Sequence, residues 1–123
     1  MMLTTQELME IGHKHRATIR PPHATDVCTI CYTSGTTGLP KGVLLTHRNF
    51  ISGLSGCLYT GLDPRPEDCY ISYLPLAHVL ERIMHLAMLI GGAHIGFYQG
   101  STKTILDDIK TLRPSIFTSV PRL

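Results

Sequence analysis

The sequence predicts an α/β fold built on part of a three-layer α/β sheet. Segments with strand patterns alternate along the chain with segments that have helix patterns. The strand segments are continuous apolar runs rather than alternating ones, which is typical of strands that are buried on both faces. The helix pattern at residues 77–90 is apolar almost all round, and such a helix belongs in a protein interior.

The first predicted element is a short helix over residues 4–12. Thr4 or Thr5 supplies a hydroxyl cap, an acidic residue follows in the first turn, and Gly12 is expected to stop the helix. An exposed connector then runs to a Pro-Pro pair.

The next elements are two strands around a glycine-rich loop. Residues 26–33 predict a strand that leads directly into the loop, and residues 42–46 predict a second short strand beyond it. Thr46 or Asn49 is expected to cap a helix over 47–59, within which two glycines indicate close packing.

The second half continues the alternation. In order, the patterns predict a strand, the apolar helix, a strand, a surface helix and a last strand, at residues 69–74, 77–90, 93–98, 104–112 and 115–120.

Composition bounds the class of protein. The chain has 123 residues, 43% apolar and 16% charged, which is typical of one globular domain. A net charge of +2 without any Lys/Arg cluster predicts no nucleic-acid partner. Cys28 and Cys31 have a zinc-like spacing, but residues three apart in a strand point to opposite faces. We therefore expect reduced, buried thiols in an intracellular protein.

The loop at residues 32–43 has a composition that suits a polyanion. Its glycines let backbone N–H groups approach a ligand, its hydroxyls add donors, and Lys41 adds a compact cation. It is not a Walker loop, because Lys41 follows Pro40, and no G-x-G-x-x-G can be drawn through it. An ordinary hairpin turn rich in Ser, Thr and Gly is the alternative.

A second polar group interrupts the apolar helix. His78, Glu81, Arg82 and His85 are spaced to lie on one face of it. One interpretation is a structural polar seam with partners elsewhere. A metal site of His78, Glu81 and His85 is weaker, because Arg82 puts a fixed cation in the same place. A metal-binding pair at His13 and His15 in the connector is another open alternative.

Two stretches resemble one family. Residues 32–43, Tyr-Thr-Ser-Gly-Thr-Thr-Gly-Leu-Pro-Lys-Gly-Val, look like the phosphate-binding loop of the adenylate-forming enzymes. Residues 73–82, Tyr-Leu-Pro-Leu-Ala-His-Val-Leu-Glu-Arg, resemble that superfamily's next motif in the form typical of eukaryotic-type long-chain fatty acyl-CoA synthetases. The resemblance covers the chain from about Asp26 onward.

The resemblance implies a set of site residues. The donors to the ATP phosphates would be Thr33, Ser34, Gly35, Thr36, Thr37 and Gly38, with Lys41 as an added cation. Thr33 would be the hydroxyl on the side of Mg2+. His78 would be the catalytic residue beside the acyl and adenylate pocket. Glu81 and Arg82 would line the acyl pocket or its gate, although some fatty-acid members carry an aromatic gate where this chain has Arg82.

The resemblance also implies substrates, cofactors and organisation. We expect ATP, Mg2+, a long-chain fatty acid and coenzyme A, with residues 1–25 forming a helix and connector and residues 26–123 part of an adenylation domain. The Tyr-Gly-x-Thr-Glu segment, the ribose-binding aspartate and the C-terminal lysine of the family are absent from this sequence. The chain is therefore expected to be part of the large N-terminal domain of an acyl-CoA synthetase-like fold, inactive without the rest of its parent chain.

Three further expectations accompany that reading. Strands taken from a larger sheet would expose apolar edges, so the chain is expected to self-associate. The compartment is expected to be the cytoplasm or the periphery of an organelle membrane. The alternatives in function are an adenylate-forming ligase for an aromatic or amino acid, and a non-catalytic nucleotide-binding module.

Overall fold

Helices and strands alternate along the chain in a computed structural model that describes residues 2–33 and 38–119. The elements are α1 (Thr5–Lys14), β1 (Val27–Thr33), β2 (Lys41–Thr46), α2 (His47–Tyr59), β3 (Cys69–Ser72), α3 (Val79–Gly91), β4 (His94–Phe97), a 3₁₀ turn (Thr102–Thr104) and α4 (Ile105–Leu112). The predicted α/β class is confirmed. Its described strands form two small sheets of two strands each.

β1 and β2 form the predicted antiparallel hairpin with the glycine-rich loop at its tip. The ladder pairs Ile30 with Leu44 and closes with Thr33 opposite Lys41. Ile30 and Leu44 are 55% and 60% exposed, and within β1 only Cys31 is buried. The prediction that this strand is buried on both faces is therefore wrong for this chain. The reason is that no described element packs over the face that carries Ile30 and Leu44.

The second sheet is parallel, with α3 as the connection between β3 and β4. Tyr70 lies at its centre, because it pairs with Ile95 of β4 on one side and makes an isolated bridge to Ile116 on the other. The last predicted strand, 115–120, is reduced within the described residues to that bridge. Beside that bridge, the Ser115 hydroxyl accepts the Cys69 N–H of β3 at 3.0 Å, where a strand would offer a backbone carbonyl.

The start of α2 is as predicted. The Thr46 hydroxyl accepts the Asn49 N–H, and the Asn49 side chain accepts the Thr46 N–H at 2.9 Å, so the two residues form a reciprocal cap. This cap fixes the point at which the hairpin becomes a helix.

α1 also begins with a reciprocal cap, but it ends later than predicted. Thr4 caps it in a reciprocal pair with Glu7, and the helix continues through Gly12 to Lys14. The predicted stop at Gly12 is wrong, because the backbone ladder carries on to a bond from the His15 N–H to the Ile11 carbonyl.

The core lies where α2, β3 and α3 meet. Its main cluster consists of Leu54, Tyr70, Met84, Ala87 and Met88. A second cluster, Ile71, Tyr73 and Ile105, joins β3 to α4. The prediction that α3 is an interior helix holds for one face only. Leu89 and Ile90 on the other face are 69% and 63% exposed, because no described element covers them.

Gly53 and Gly56 differ in their surroundings. A Cβ at Gly53 would lie 3.0 Å from the Ile83 side chain, so α2 and α3 pack closely there, whereas Gly56 faces open space. The expected close packing is therefore confirmed at Gly53 and wrong at Gly56.

All four cysteines are free, as predicted, but burial divides them. Cys31 is buried, Cys28 is exposed, and the other two are half-buried. The expectation of buried thiols is therefore correct for Cys31 alone. None of the helices in the described ranges is long and apolar enough to span a membrane.

Candidate functional site

The predicted phosphate loop begins and ends at a closed strand pair. Thr33 and Lys41 are cross-strand partners, and the Thr33 hydroxyl donates to the Lys41 carbonyl at 3.4 Å. Both residues are exposed. Gly38 has φ of +100°, a backbone conformation that favours glycine. The other four predicted donors, Ser34, Gly35, Thr36 and Thr37, lie outside the described residues.

Lys41 offers an uncommitted charge at the base of this loop. Its side chain makes no ion pair with any residue in 2–33 or 38–119. A solvent-exposed ammonium at the mouth of a hydroxyl-rich loop is placed to attract an anion from water.

A cleft of about 470 Å³ separates the hairpin from the segment that links β3 to α3. Thr33 and His78, two of the predicted site residues, both line it. The rest of its lining is mostly apolar and consists of Cys31, Tyr32, Val43, Leu45, Pro75, Ala77 and Val79. The fold therefore brings the two sequence motifs to opposite walls of one cleft.

His78 occupies the position just before α3 rather than a turn within it. Its backbone is extended, with φ of −81° and ψ of 126°, and its side chain makes no capping hydrogen bond to the helix. The exposed imidazole is thus available to a ligand in the cleft.

The four polar residues expected on one helix face are brought together only in part. α3 begins after His78, so that residue lies outside the helix. Within α3, the side chains of Glu81 and His85 are one turn apart and in contact at 3.2 Å, whereas Arg82 reaches Thr29 of β1. The expected shared face is therefore correct for Glu81 and His85 and wrong for His78.

Glu81 belongs to a buried hydrogen-bonded network. Tyr70 donates to one carboxylate oxygen at 2.5 Å, and Ser72 donates to the other at 2.7 Å. His85 Nε2 lies 3.2 Å from Glu81 and 2.9 Å from the Ser72 hydroxyl. Burial, together with the bond to Glu81, raises the pKa of the Tyr70 hydroxyl and keeps it a donor. We call these four residues the Glu81 network.

The Glu81 network is structural rather than a nucleophilic triad. The single Ser72 proton is donated to Glu81, so His85 Nε2 must itself carry a proton to bond Ser72. A nucleophilic serine would need the opposite arrangement, with its proton on an acceptor nitrogen. Sequence analysis missed Tyr70 and Ser72, although their i, i+2 spacing on a strand placed them on one face.

The alternative metal site of His78, Glu81 and His85 does not form. No group of three or more His, Cys, Asp or Glu side chains among residues 2–33 and 38–119 could hold a metal ion. The metal-binding pair of His13 and His15 stays a hypothesis.

A second cleft, of about 350 Å³, lies between β1, α2 and α3. Its apolar wall includes Phe50, Ile51, Leu76 and Leu86, and Arg82, His47 and His85 supply its nitrogen donors. Of the predicted acyl-pocket residues, Arg82 lines this cleft and His78 lines the first. Glu81 lines neither.

The fold has counterparts among solved structures. The inhibitor-bound N-terminal domain of FACL13 from Mycobacterium tuberculosis superposes with a TM-score of 0.71 at 27% identity, over 95% of this chain and 30% of that one. ATP-bound MatB from Rhodopseudomonas palustris gives 0.70 at 27% identity, over 94% of this chain and 23% of that one. The architecture is therefore that of the N-terminal domains of acyl-CoA synthetases of the adenylate-forming superfamily.

Sequence comparison leads to the family itself. The family model described as AMP-binding enzyme matches residues 2–123, and the chain belongs to this family. It is 48% identical over 122 residues to long chain acyl-CoA synthetase 7, peroxisomal, of Arabidopsis thaliana, covering 99% of this chain. It is 45% identical over 125 residues to human long-chain-fatty-acid–CoA ligase 1, covering 98%. The chain spans only 17% and 18% of the lengths of these two relatives.

Proposed function

We propose that this chain supplies the ATP phosphate-binding loop and part of the acyl pocket of an enzyme that converts a long-chain fatty acid to its acyl-CoA. The observation that carries the proposal is the cleft that Thr33 and His78 line together. Its support from relatives is an identity of 41–48% to long-chain ligases and synthetases.

The proposed reaction has two steps. A carboxylate oxygen of the fatty acid attacks the α-phosphorus of ATP, the bond to the β-phosphate oxygen breaks, and pyrophosphate leaves with the electron pair. The thiol sulfur of coenzyme A then attacks the acyl carbon of the adenylate. That step expels AMP and releases the thiol proton.

In the first step, this chain's task is to hold the phosphates as charge builds on pyrophosphate. The N–H groups and hydroxyls of residues 33–38 would donate to the phosphate oxygens, and Lys41 would add its charge from the loop's base. Loss of one well-aligned donor of this kind costs about 2.7–4 kcal/mol in the barrier.

Thr33 fits only part of a magnesium site. Its exposed hydroxyl is one oxygen ligand, whereas Mg2+ usually takes one or two carboxylates together with substrate phosphates and water. Mg2+ bound beside the loop would neutralise charge on the phosphates. Thr33 would contribute a single oxygen to it.

His78 and Arg82 are proposed to face the acyl substrate from different sides. His78 would donate to the carboxylate or the adenylate in the first cleft, and the apolar second cleft beside Arg82 would accept part of the acyl chain. Glu81 is buried away from both clefts, so its proposed contribution is to fix α3 through the Glu81 network.

The proposed partners are ATP, the fatty acid, coenzyme A and the rest of a parent chain. Support for ATP comes from the nucleotide-bound MatB structure. We propose the cytoplasm or the periphery of an organelle membrane as the location of the enzyme. Two relatives from Arabidopsis thaliana are named as peroxisomal, which supports an organelle. The division of the chain into a helix and connector, residues 1–25, and part of an adenylation domain, residues 26–123, is likewise a proposal.

ATP–pyrophosphate exchange in a full-length enzyme that carries this segment tests the proposal. Thr36→Ala and Gly38→Ala are expected to slow exchange on the order of 10²-fold, with fatty-acid binding little changed, because they remove or misalign phosphate donors. His78→Ala is expected to impair both. The isolated chain is expected to show no exchange, because the family's other catalytic segments lie outside it.

Two variants serve as controls. Thr60→Ala removes a hydroxyl whose hydrogen bond, within the described residues, goes to the Cys57 carbonyl in α2, and Gly56→Ala adds a methyl group in open space. Both should leave exchange unchanged. Normal exchange in the two loop variants would remove the role assigned to the loop. Exchange that depends on an aromatic acid or an amino acid, with none supported by a fatty acid, would favour the alternative adenylate-forming ligase.

A further inference from the structure

We infer that Arg82 is a positioning residue that fixes the hairpin carrying the phosphate loop against the segment carrying His78. The inference rests on the proposed function, because it concerns the distance between the two walls of the same cleft. It gives Arg82 a role in aligning ATP with the acyl carboxylate, rather than a role as a gate over the acyl chain.

The guanidinium of Arg82 contacts both walls. Its Nε donates to the carbonyl of Leu76, which lies in the segment between β3 and α3 two residues before His78. Its Nη1 lies 3.4 Å from the hydroxyl of Thr29 on β1. Thr29 in turn is four residues before Thr33, where the predicted phosphate loop begins.

The partners of Arg82 are neutral, which favours a structural role for its guanidinium. In the described part of the chain no carboxylate pairs with it. A planar guanidinium presents donors in fixed directions and can join two acceptors, whereas a lysine ammonium would reach them as a single point charge. These two contacts depend on the fixed directions of the guanidinium donors more than on the positive charge.

The contact matters because the two sheets are not joined by a strand ladder. Among the described strands, β1 pairs only with β2, and β3 only with β4. Apart from apolar packing, side-chain bonds such as those of Arg82 therefore help to set the spacing between the hairpin and this segment. A weaker bond lies in the same place, from the Cys31 thiol to the Ala77 carbonyl at 3.6 Å.

The test compares Arg82→Lys, Thr29→Val and Thr29→Ser in a full-length enzyme that carries this segment. Thr29→Val keeps the β-branched shape and removes the acceptor oxygen, whereas Thr29→Ser keeps the oxygen. Arg82→Lys and Thr29→Val should both slow acyl-adenylate formation at saturating substrates about three- to tenfold, and Thr29→Val should do so with KM for the fatty acid unchanged. Thr29→Ser should behave as the parent.

Hydrogen exchange of the β1–β2 amides, without substrate, supplies a readout independent of activity. Faster exchange in Arg82→Lys and Thr29→Val than in the parent and Thr29→Ser supports the positioning role. Unchanged exchange in both, or an altered KM for the fatty acid in Arg82→Lys with Thr29→Val silent, would overturn it. If the parent makes no acyl-adenylate while hairpin exchange still depends on Arg82 and Thr29, the proposed function fails and the positioning role stands.

Discussion

At the scale of single residues, the Glu81 carboxylate has the most demanding environment in the described chain. It is fully buried, and each of its oxygens accepts a hydroxyl proton, one from Tyr70 and one from Ser72. A buried carboxylate is tolerated only when its hydrogen bonds are made, because desolvation otherwise costs several kcal/mol. The network therefore ties the first turn of α3 to β3.

Tyr70→Phe should destabilise the chain by about 1–3 kcal/mol, because one carboxylate oxygen is left buried without its donor. The pH dependence should change too. The pKa of Tyr70 is raised in the folded state, so its stabilising contribution is complete below about pH 10, the pKa of an unfolded tyrosine, and falls as pH rises further. Urea midpoints at pH 8 and pH 11 should therefore differ less in the variant than in the parent.

Tyr59→Phe is the matched control, because Tyr59 is 93% exposed. It should change neither the midpoint nor its pH dependence. Equal losses from the Tyr59 and Tyr70 variants would contradict the account of the network.

At the scale of elements, the start of α2 is determined by neighbouring residues, whereas the end of α3 also involves a contact with another segment of the chain. The reciprocal cap of Thr46 and Asn49 follows from residues three apart, so the sequence alone locates the start of α2. The end of α3 has a local signal, the left-handed cap at Gly92 with φ of 70°, and a further contact with a segment that is distant in sequence. A Cβ at Gly91 would lie 2.2 Å from the Pro64 carbonyl oxygen, in the loop before β3.

Gly91→Ala should therefore destabilise the chain by about 1–3 kcal/mol, since backbone atoms must move to admit a methyl group. Gly56→Ala, in the interior of α2 with open space around it, should instead stabilise by about 0.5–1 kcal/mol. Chemical denaturation of both variants measures the difference. A Gly91 variant as stable as the Gly56 variant would show that α3 does not pack on Pro64.

At the scale of the whole molecule, the sequence predicts where helices and strands lie better than it predicts which of their faces are buried. The hairpin, α2 and the parallel β3–α3–β4 unit could be located from the sequence because each depends on residues within or beside it. The exposure of β1 and of the outer face of α3 could not, because the apolar pattern of a segment does not show which other elements cover it. The partners of Glu81 were missed for a related reason, since helical periodicity gives no information about the strand opposite.

The exposed apolar faces have a consequence for the chain in solution. Ile30, Tyr32 and Leu44 on the hairpin and Leu89 and Ile90 on α3 are all exposed. Self-association of the isolated chain stays a prediction, and size-exclusion chromatography that showed a well-folded monomer would contradict it.

The central claim is that the loop after Thr33 binds the phosphates of ATP, and a crystal structure of a full-length enzyme carrying this segment, with ATP bound, tests it most directly. The account predicts β- and γ-phosphate oxygens about 2.7–3.2 Å from N–H and hydroxyl donors of residues 33–38, with His78 across the cleft from them. Phosphates bound elsewhere, with that loop free of contacts to ATP, would contradict the claim.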